Sequence, residues 1–208
     1  MASIATNAAI AVISVLAWIS VVRGRGDDRN LMTHGMASLK YYTVLSNLFS
    51  GAASTAYCAS LLLGGGVPAP WVLVLKLAGT TTVMVTFLTV MLFLGPTMGW
   101  APMFKAGNLW LHLILPLAAA ADLCLSVPLA GLPFAATLAP VAFTAAYAAW
   151  YIRRVLRYGM ERDGVVYDFY GFGRWGQDKI ALVAKVMLSA TWLIAVLLVL
   201  ANHLVALA

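Results

Sequence analysis

Six apolar runs, each close to the length that carries a helix across a bilayer, leave this chain few ways to fold. They cover about residues 4–22, 41–63, 70–94, 108–127, 134–152 and 180–206. About 20 helical residues cross the ~30 Å hydrocarbon core. In lipid, backbone groups must be paired within a helix or a closed barrel, and these runs lack the alternation of membrane strands. The runs stop where helices stop: before Arg23, at Gly64-Gly65-Gly66, at Gly95-Pro96, at Pro128 and at Arg153-Arg154. The expected fold is all-α, a polytopic bundle of six transmembrane helices forming one integral membrane domain over residues 1–208.

Hydrophobic residues make up 63% of the chain and charged residues 10%. Soluble domains carry about 25% charged residues, so a water-soluble globule is excluded. The net charge of +6 does not point to nucleic acid, because the basic residues fall between the apolar runs. Arg23, Arg25, Arg29 and Lys40 follow the first run, Lys105 follows the third, and Arg153, Arg154, Arg157, Arg162, Arg174 and Lys179 follow the fifth. The second and fourth loops and both termini hold none. Under the positive-inside rule the basic loops are cytoplasmic and both termini face outside. The first run has no basic residue before it and is read as a retained span rather than a cleaved signal. In the long fifth loop, about 153–179, the first residues extend the fifth helix. Val165 to Trp175, rich in aromatics, reads as an interface anchor or as a lid-like segment.

Polar residues inside spans are costly and therefore candidate sites. Thr43, Ser46 and Asn47 share one face of the second span; Asn108 and His112 are four apart in the fourth; Lys185 and Ser189 are four apart in the sixth. With the inferred topology, all three sets lie in the cytoplasmic half. The plain alternatives are hydroxyls bonded to the carbonyl four residues back, as for Thr80, Thr82, Thr86 and Thr89, and interhelical amide contacts. Pro116 has no N–H for the carbonyl of His112, which leaves that carbonyl open and marks a kink. Lys76 and Asp122 lie toward the outer side, as an ion pair or as an outer site. His203 reads as interfacial. Cys58 and Cys124 have no metal or redox spacing and read as buried thiols rather than a disulfide.

A hydroxyl, an imidazole and an amide are the parts of an acyl-transfer site. Thr43 would attack an ester, His112 would carry the proton, and Asn47, Asn108 or Lys185 would stabilise the oxyanion. No G-x-S-x-G elbow supports such a site and no acidic third member is evident; without a Walker loop, HExxH or paired-carboxylate motif, nucleotide and metal chemistry have little support, and no cofactor is implied.

The stretch Leu39-Lys40-Tyr41-Tyr42-Thr43-Val44-Leu45-Ser46-Asn47-Leu48 resembles a segment of the androgen-induced and androgen-dependent TFPI-regulating family and its bacterial relatives. Val85-Thr86-Phe87-Leu88 to Gly95-Pro96 resembles that family's third span. Leu111-His112-Leu113-Ile114-Leu115-Pro116, with Asp122 following, resembles its His-bearing fourth span. The resemblance implies a multi-span membrane hydrolase with a threonine nucleophile at Thr43 and a histidine at His112. In the animal members the substrates are fatty acid esters of hydroxy fatty acids. The fifth loop lacks the family's Tyr-Pro-Tyr-Pro pattern, and the aromatics at Tyr167-Asp168-Phe169-Tyr170 match it only weakly, so substrate identity does not transfer. The expectation is an intramembrane lipid esterase of a bacterial plasma membrane. Ser46, Asn47, Asn108 and Lys185 contact a lipid or fatty-acid ester. Arg153, Arg154 and Arg157 either meet an anionic substrate group or only fix topology. The alternative is a small transporter or lipid-binding membrane protein, resting on Lys76, Asp122 and Lys185; a non-catalytic scaffold is a third reading. Oligomeric state is open.

Overall fold

Each of the six apolar runs is helical in the computed structural model, which describes residues 2–23, 35–105 and 107–207. Helix α1 is Ala2–Val22 and α2 is Tyr42–Leu63. Helix α3 runs Pro70–Thr89, widens into a π turn at Val90–Leu94 and ends at Gly95–Met98. After a short helical turn at Trp100–Met103, α4 runs Gly107–Leu109, passes a π turn at Trp110–Ile114 and continues Leu115–Ser126. A 3-10 turn at Phe134–Leu138 leads into α5, Ala139–Tyr158, and α6 is Ile180–Leu207. Arg25 and Arg29 of the first loop lie outside the described residues.

Five stretches are long and apolar enough to cross a membrane: Ser3–Val22, Pro70–Met98, Gly107–Ser126, Phe134–Tyr158 and Ile180–Leu207. The chain is an all-α helical bundle and an integral membrane protein. Helix α2 has 22 residues and no charge, but its Thr43, Ser46, Asn47, Ser50, Ser54, Thr55 and Ser60 lower its apolarity. Its polar side is covered instead: Ser46, Asn47, Ser50 and Ser54 are all buried.

Helix α3 is the hub, touching α2, α4, α5 and α6. Its span is 61% buried, against 17% for α6, whose flank of leucines and valines faces outward. Small residues allow the close contact of α2 with α3. A Cβ on Gly79 would lie 3.0 Å from Ser50 Cα and 3.1 Å from the Ala53 Cβ. Such small-residue seams are how membrane helices approach closely.

Both π turns lie two residues before a proline, Pro96 in α3 and Pro116 in α4. A proline has no N–H and crowds the preceding turn, and a widened turn relieves that crowding. The wide turn of α4 changes which carbonyl is orphaned. In the five-residue register Pro116 stands opposite the carbonyl of Leu111, not that of His112 as the four-residue register implies.

The fifth loop is structured. Helix α5 continues past Arg153 and Arg154 to Tyr158. Strands β1 (Glu161–Arg162) and β2 (Val165–Val166) then form an antiparallel hairpin. Its two turn residues, Asp163 (φ 52°) and Gly164 (φ 74°), both have positive φ, as the preferred two-residue hairpin turn requires. Residues 167–176 fold back against the bundle, with 3-10 turns at Phe172–Trp175 and Gln177–Lys179 before α6.

Candidate functional site

Helices α2, α3, α5 and α6 and the returning segment 167–176 enclose a cavity with about 650 Å³ of empty space, counted out to its mouth. Helix α2 contributes Tyr42 and Thr43; α3 contributes Thr86, Thr89, Val90 and Leu94, the last two from its π turn. Helix α5 contributes Thr144, Tyr147, Ala148, Tyr151 and Ile152, α6 contributes Ile180, Val183, Ala184 and Met187, and the segment contributes Tyr170 and Phe172. The wall is apolar and aromatic, studded with hydroxyls, and carries no charged side chain. Apolar walls with a few placed polar groups are characteristic of small-molecule sites.

Most of these hydroxyls are committed. The Tyr42 and Thr144 hydroxyls bond each other at 2.9 Å, and Thr191 reaches Thr144 at 3.4 Å. Tyr147 donates to the Lys40 carbonyl at 2.8 Å. The Tyr42 amide donates to the Tyr170 hydroxyl at 2.8 Å, so Tyr170 caps the start of α2. Burial pushes the Tyr170 phenol up to about 12, and it stays neutral in ordinary conditions. Tyr151 donates to the Asp168 carboxylate, which also accepts the amides of Phe172 at 3.0 Å and Gly173 at 2.6 Å. These bonds fasten segment 167–176 over the cavity, the lid-like one of the two arrangements its aromatics allowed. The side chains of Arg174 and Trp175 lie outside the described set.

Two cavity hydroxyls, those of Thr43 and Thr89, have no hydrogen-bond partner among the described residues, and Thr43 is the one at a helix start. Deeper in α3, Thr81 and Thr86 bond the carbonyl four residues back and Thr82 the one three back, whereas Thr80 and Thr89, expected to do the same, have no partner among the described residues. Thr43 is the second residue of α2, and the residue four before it, Leu39, lies in the preceding 3-10 turn. Its position at a helix start also places it at the positive end of the helix dipole.

Behind Thr43, the other expected residues form two groups. Ser46 donates to the Thr43 carbonyl at 3.1 Å and bonds Thr86 at 2.9 Å. Asn47 donates through one nitrogen to the Thr43 carbonyl at 2.8 Å and to the Leu111 carbonyl at 3.1 Å. It thereby pairs the carbonyl that Pro116 cannot serve, and joins the turn bearing Thr43 to the turn bearing His112. His112 is buried, and its Nδ1 lies 2.7 Å from the Met103 carbonyl. A carbonyl only accepts, so Nδ1 carries the proton and Nε2 holds the basic lone pair. Asn108 donates to the Pro102 carbonyl at 3.0 Å. Asn108 and His112 therefore clamp the turn Trp100–Met103, and neither lines the cavity. No hydrogen bond joins Thr43 to His112.

Lys185 does not join this group. It is exposed, between Leu182 and Val186 on the outward flank of α6, whereas Ile180, Val183, Ala184 and Met187 face the cavity. The spacing of Lys185 and Ser189 does define one helix face, but that face turns away from the bundle.

On the other side of the bundle, Lys76 and Asp122 form a buried ion pair at 3.0 Å. Lys76 also donates to Ser54 at 3.0 Å, and Asn7 donates to Asp122 at 2.9 Å. Four helices thus meet through one polar cluster, separate from the cavity wall. Asn202 of α6 similarly bonds the carbonyls of Leu123 and Val127, both at 2.8 Å. His203 is exposed, and both cysteines are free.

No protein-family model, no curated protein and no solved structure matches this chain.

The tyrosines were not among the residues expected at a site. Thr144, Tyr147 and Tyr151 follow a helical spacing on α5, a signal present in the sequence but of ordinary polarity. Asp168 gave no spacing signal at all, because its partners are a tyrosine one hairpin away and two backbone amides.

Proposed function

We propose that this chain is an intramembrane lipid esterase that takes the acyl portion of a lipid ester into the cavity and cleaves the ester at Thr43. The observation that carries this reading is the uncommitted Thr43 hydroxyl at the start of α2, on the wall of an apolar and aromatic cavity. Thr43 Oγ attacks the ester carbonyl, and the hydroxyl proton passes to Nε2 of His112. The tetrahedral oxyanion forms at the start of α2, where the helix dipole favours negative charge. Collapse expels the alcohol, which takes the proton back from His112, and leaves an acyl-threonine. Water, deprotonated by His112, then releases the fatty acid. The Met103 carbonyl supports this role by holding the imidazole in the tautomer a base needs. Asn47 supports it by tying the two turns together. Thr43 and His112 make their contact with substrate in place, since catalytic hydrogen bonds commonly tighten only in the complex. The resemblance at Thr43 and His112 agrees with this reading, and a fatty acid ester of a hydroxy fatty acid is one substrate of the right kind. In the membrane, α2 joins the other five long helices as a span, the basic loops face the cytoplasm and both termini face outside, in a bacterial plasma membrane.

A second reading is a lipid-binding membrane protein without hydrolysis. It is favoured by one observation: His112 is seated on Met103 rather than on the cavity wall.

A fluorophosphonate lipid probe separates the two. Wild-type protein in detergent is labelled, and Thr43→Ala and His112→Ala, shown to be folded by circular dichroism, are not. Lipid retained by all three proteins with none labelled favours the binding protein and sinks the esterase.

A further inference from the structure

The end of α5 and the hairpin beyond it carry a second arrangement, off the cavity wall. The Arg154 guanidinium lies over two rings at once, 5.1 Å from the Trp150 centroid and 5.3 Å from that of Tyr167. Tyr167 is stacked on Tyr158 at 4.7 Å and 21°, and Arg157 lies 5.2 Å over Tyr158. The groups therefore follow one another in the order Trp150, Arg154, Tyr167, Tyr158, Arg157, an array which orients two planar cations against rings. Among the described residues Arg154 and Arg157 have no carboxylate partner, whereas Arg162 pairs with Asp163 and Lys179 with Asp178. Exposed Leu156, Met160, Val165 and Val166 surround the array with apolar surface.

Two oriented guanidinium groups with no carboxylate partner among the described residues suit the oxygens of a phosphate better than a single carboxylate, and Arg binds phosphate through paired N–H donors. The apolar rim and the Trp and Tyr rings suit the headgroup level of a bilayer. We infer that Arg154 and Arg157, held by Trp150, Tyr158 and Tyr167, form a binding site for the phosphate of an anionic phospholipid, distinct from the cavity. Arg153 is exposed and stacks on no ring among the described residues, so it supplies charge without belonging to the array.

The test is thermal stabilisation of the full-length protein in an uncharged detergent, titrated with phosphatidylglycerol, phosphatidylcholine or inorganic phosphate. Phosphatidylglycerol is expected to act at about fivefold lower concentration than phosphatidylcholine, the weight of one basic residue near an anionic surface. Arg154→Gln abolishes that preference, and Arg154→Lys, which keeps the charge but loses the planar stack, weakens it. Tyr167→Leu removes no charge and also weakens it, while Arg153→Gln leaves it nearly intact. Equal losses for Arg153→Gln and Arg154→Gln, with no effect of Tyr167→Leu, would show diffuse surface charge and overturn the site. So would equal potency of the two phospholipids, or full stabilisation by inorganic phosphate alone. Gel filtration and circular dichroism of each variant separate lost binding from lost folding.

Discussion

Asn47 reaches from α2 to the carbonyl of Leu111 in α4, and its amide nitrogen stands 3.1 Å from an oxygen that Pro116 cannot serve. Removing the amide leaves that oxygen buried and unpaired, which costs about 1–3 kcal/mol. Asn47→Leu is expected to lower the midpoint of thermal unfolding in detergent accordingly. Asn47→Asp should do no better, because a carboxylate has no donor for either carbonyl. Wild-type stability in Asn47→Leu would mean that the two turns are held together by packing alone.

The Lys76–Asp122 pair is a case where one substitution should hurt more than two. Breaking a buried ion pair strands a charge and costs about 3–5 kcal/mol, whereas replacing both partners with apolar residues is often neutral. Lys76→Met is expected to be strongly destabilised, and Lys76→Met with Asp122→Leu largely restored, in thermal unfolding of the purified protein. A double variant as unstable as the single one would show that Asn7 and Ser54, left without their partners, dominate the cluster.

How much of this could be read beforehand depended on the kind of signal. Helix positions were legible because lipid tolerates little else; the ends at Arg23, Gly64 and Pro128 followed their signals, whereas α3 runs past Gly95-Pro96 to Met98 and α5 past Arg153-Arg154 to Tyr158. The role of Asn47 as a bridge was legible from an amide inside a span. Its partner was not, because the π turn moved the orphaned carbonyl from His112 to Leu111. The face of α6 was misread at Lys185: spacing shows which residues share a face but not which way that face turns. The lid was only half legible. Aromatic content marked the segment 165–175, but the Asp168 anchor depends on long-range contacts that no spacing encodes.

Lys185 gives a direct check on that misreading. Because it is exposed among outward-facing apolar residues and does not line the cavity, Lys185→Leu is expected to leave probe labelling unchanged and stability within about 0.5 kcal/mol of wild type. A clear loss of labelling would return Lys185 to the site.

Tyr170 makes the lid sensitive to high pH. An exposed tyrosine ionises near pH 10 and Tyr170 near 12, so the folded state favours the neutral phenol. Its contribution is fully present below about pH 10 and is lost as pH rises through about 12. Wild-type protein should lose thermal stability across that window more steeply than Tyr170→Phe, which has no phenol to ionise. Parallel curves for the two proteins would assign the alkaline loss to other groups.

The Asp168 anchor predicts how the cavity is covered. Its carboxylate accepts from Tyr151 and from the amides of Phe172 and Gly173, so three donors on two elements converge on one buried acceptor. In Asp168→Asn one oxygen becomes an NH₂ group that faces a donor, and at least one bond to a charged group is lost, worth about 1.5–3 kcal/mol. Tyr151→Phe removes a single donor and leaves the two amides in place, so its effect should be smaller. The double variant should cost less than the sum of the two, because both act through the same carboxylate. Hydrogen exchange of a peptide covering residues 167–176 reads the lid directly. Exchange should rise strongly in Asp168→Asn and modestly in Tyr151→Phe, while peptides from α3 stay protected. Unchanged exchange in Asp168→Asn would mean that the ring contacts of Tyr170 and Phe172, not the carboxylate, hold the segment over the cavity.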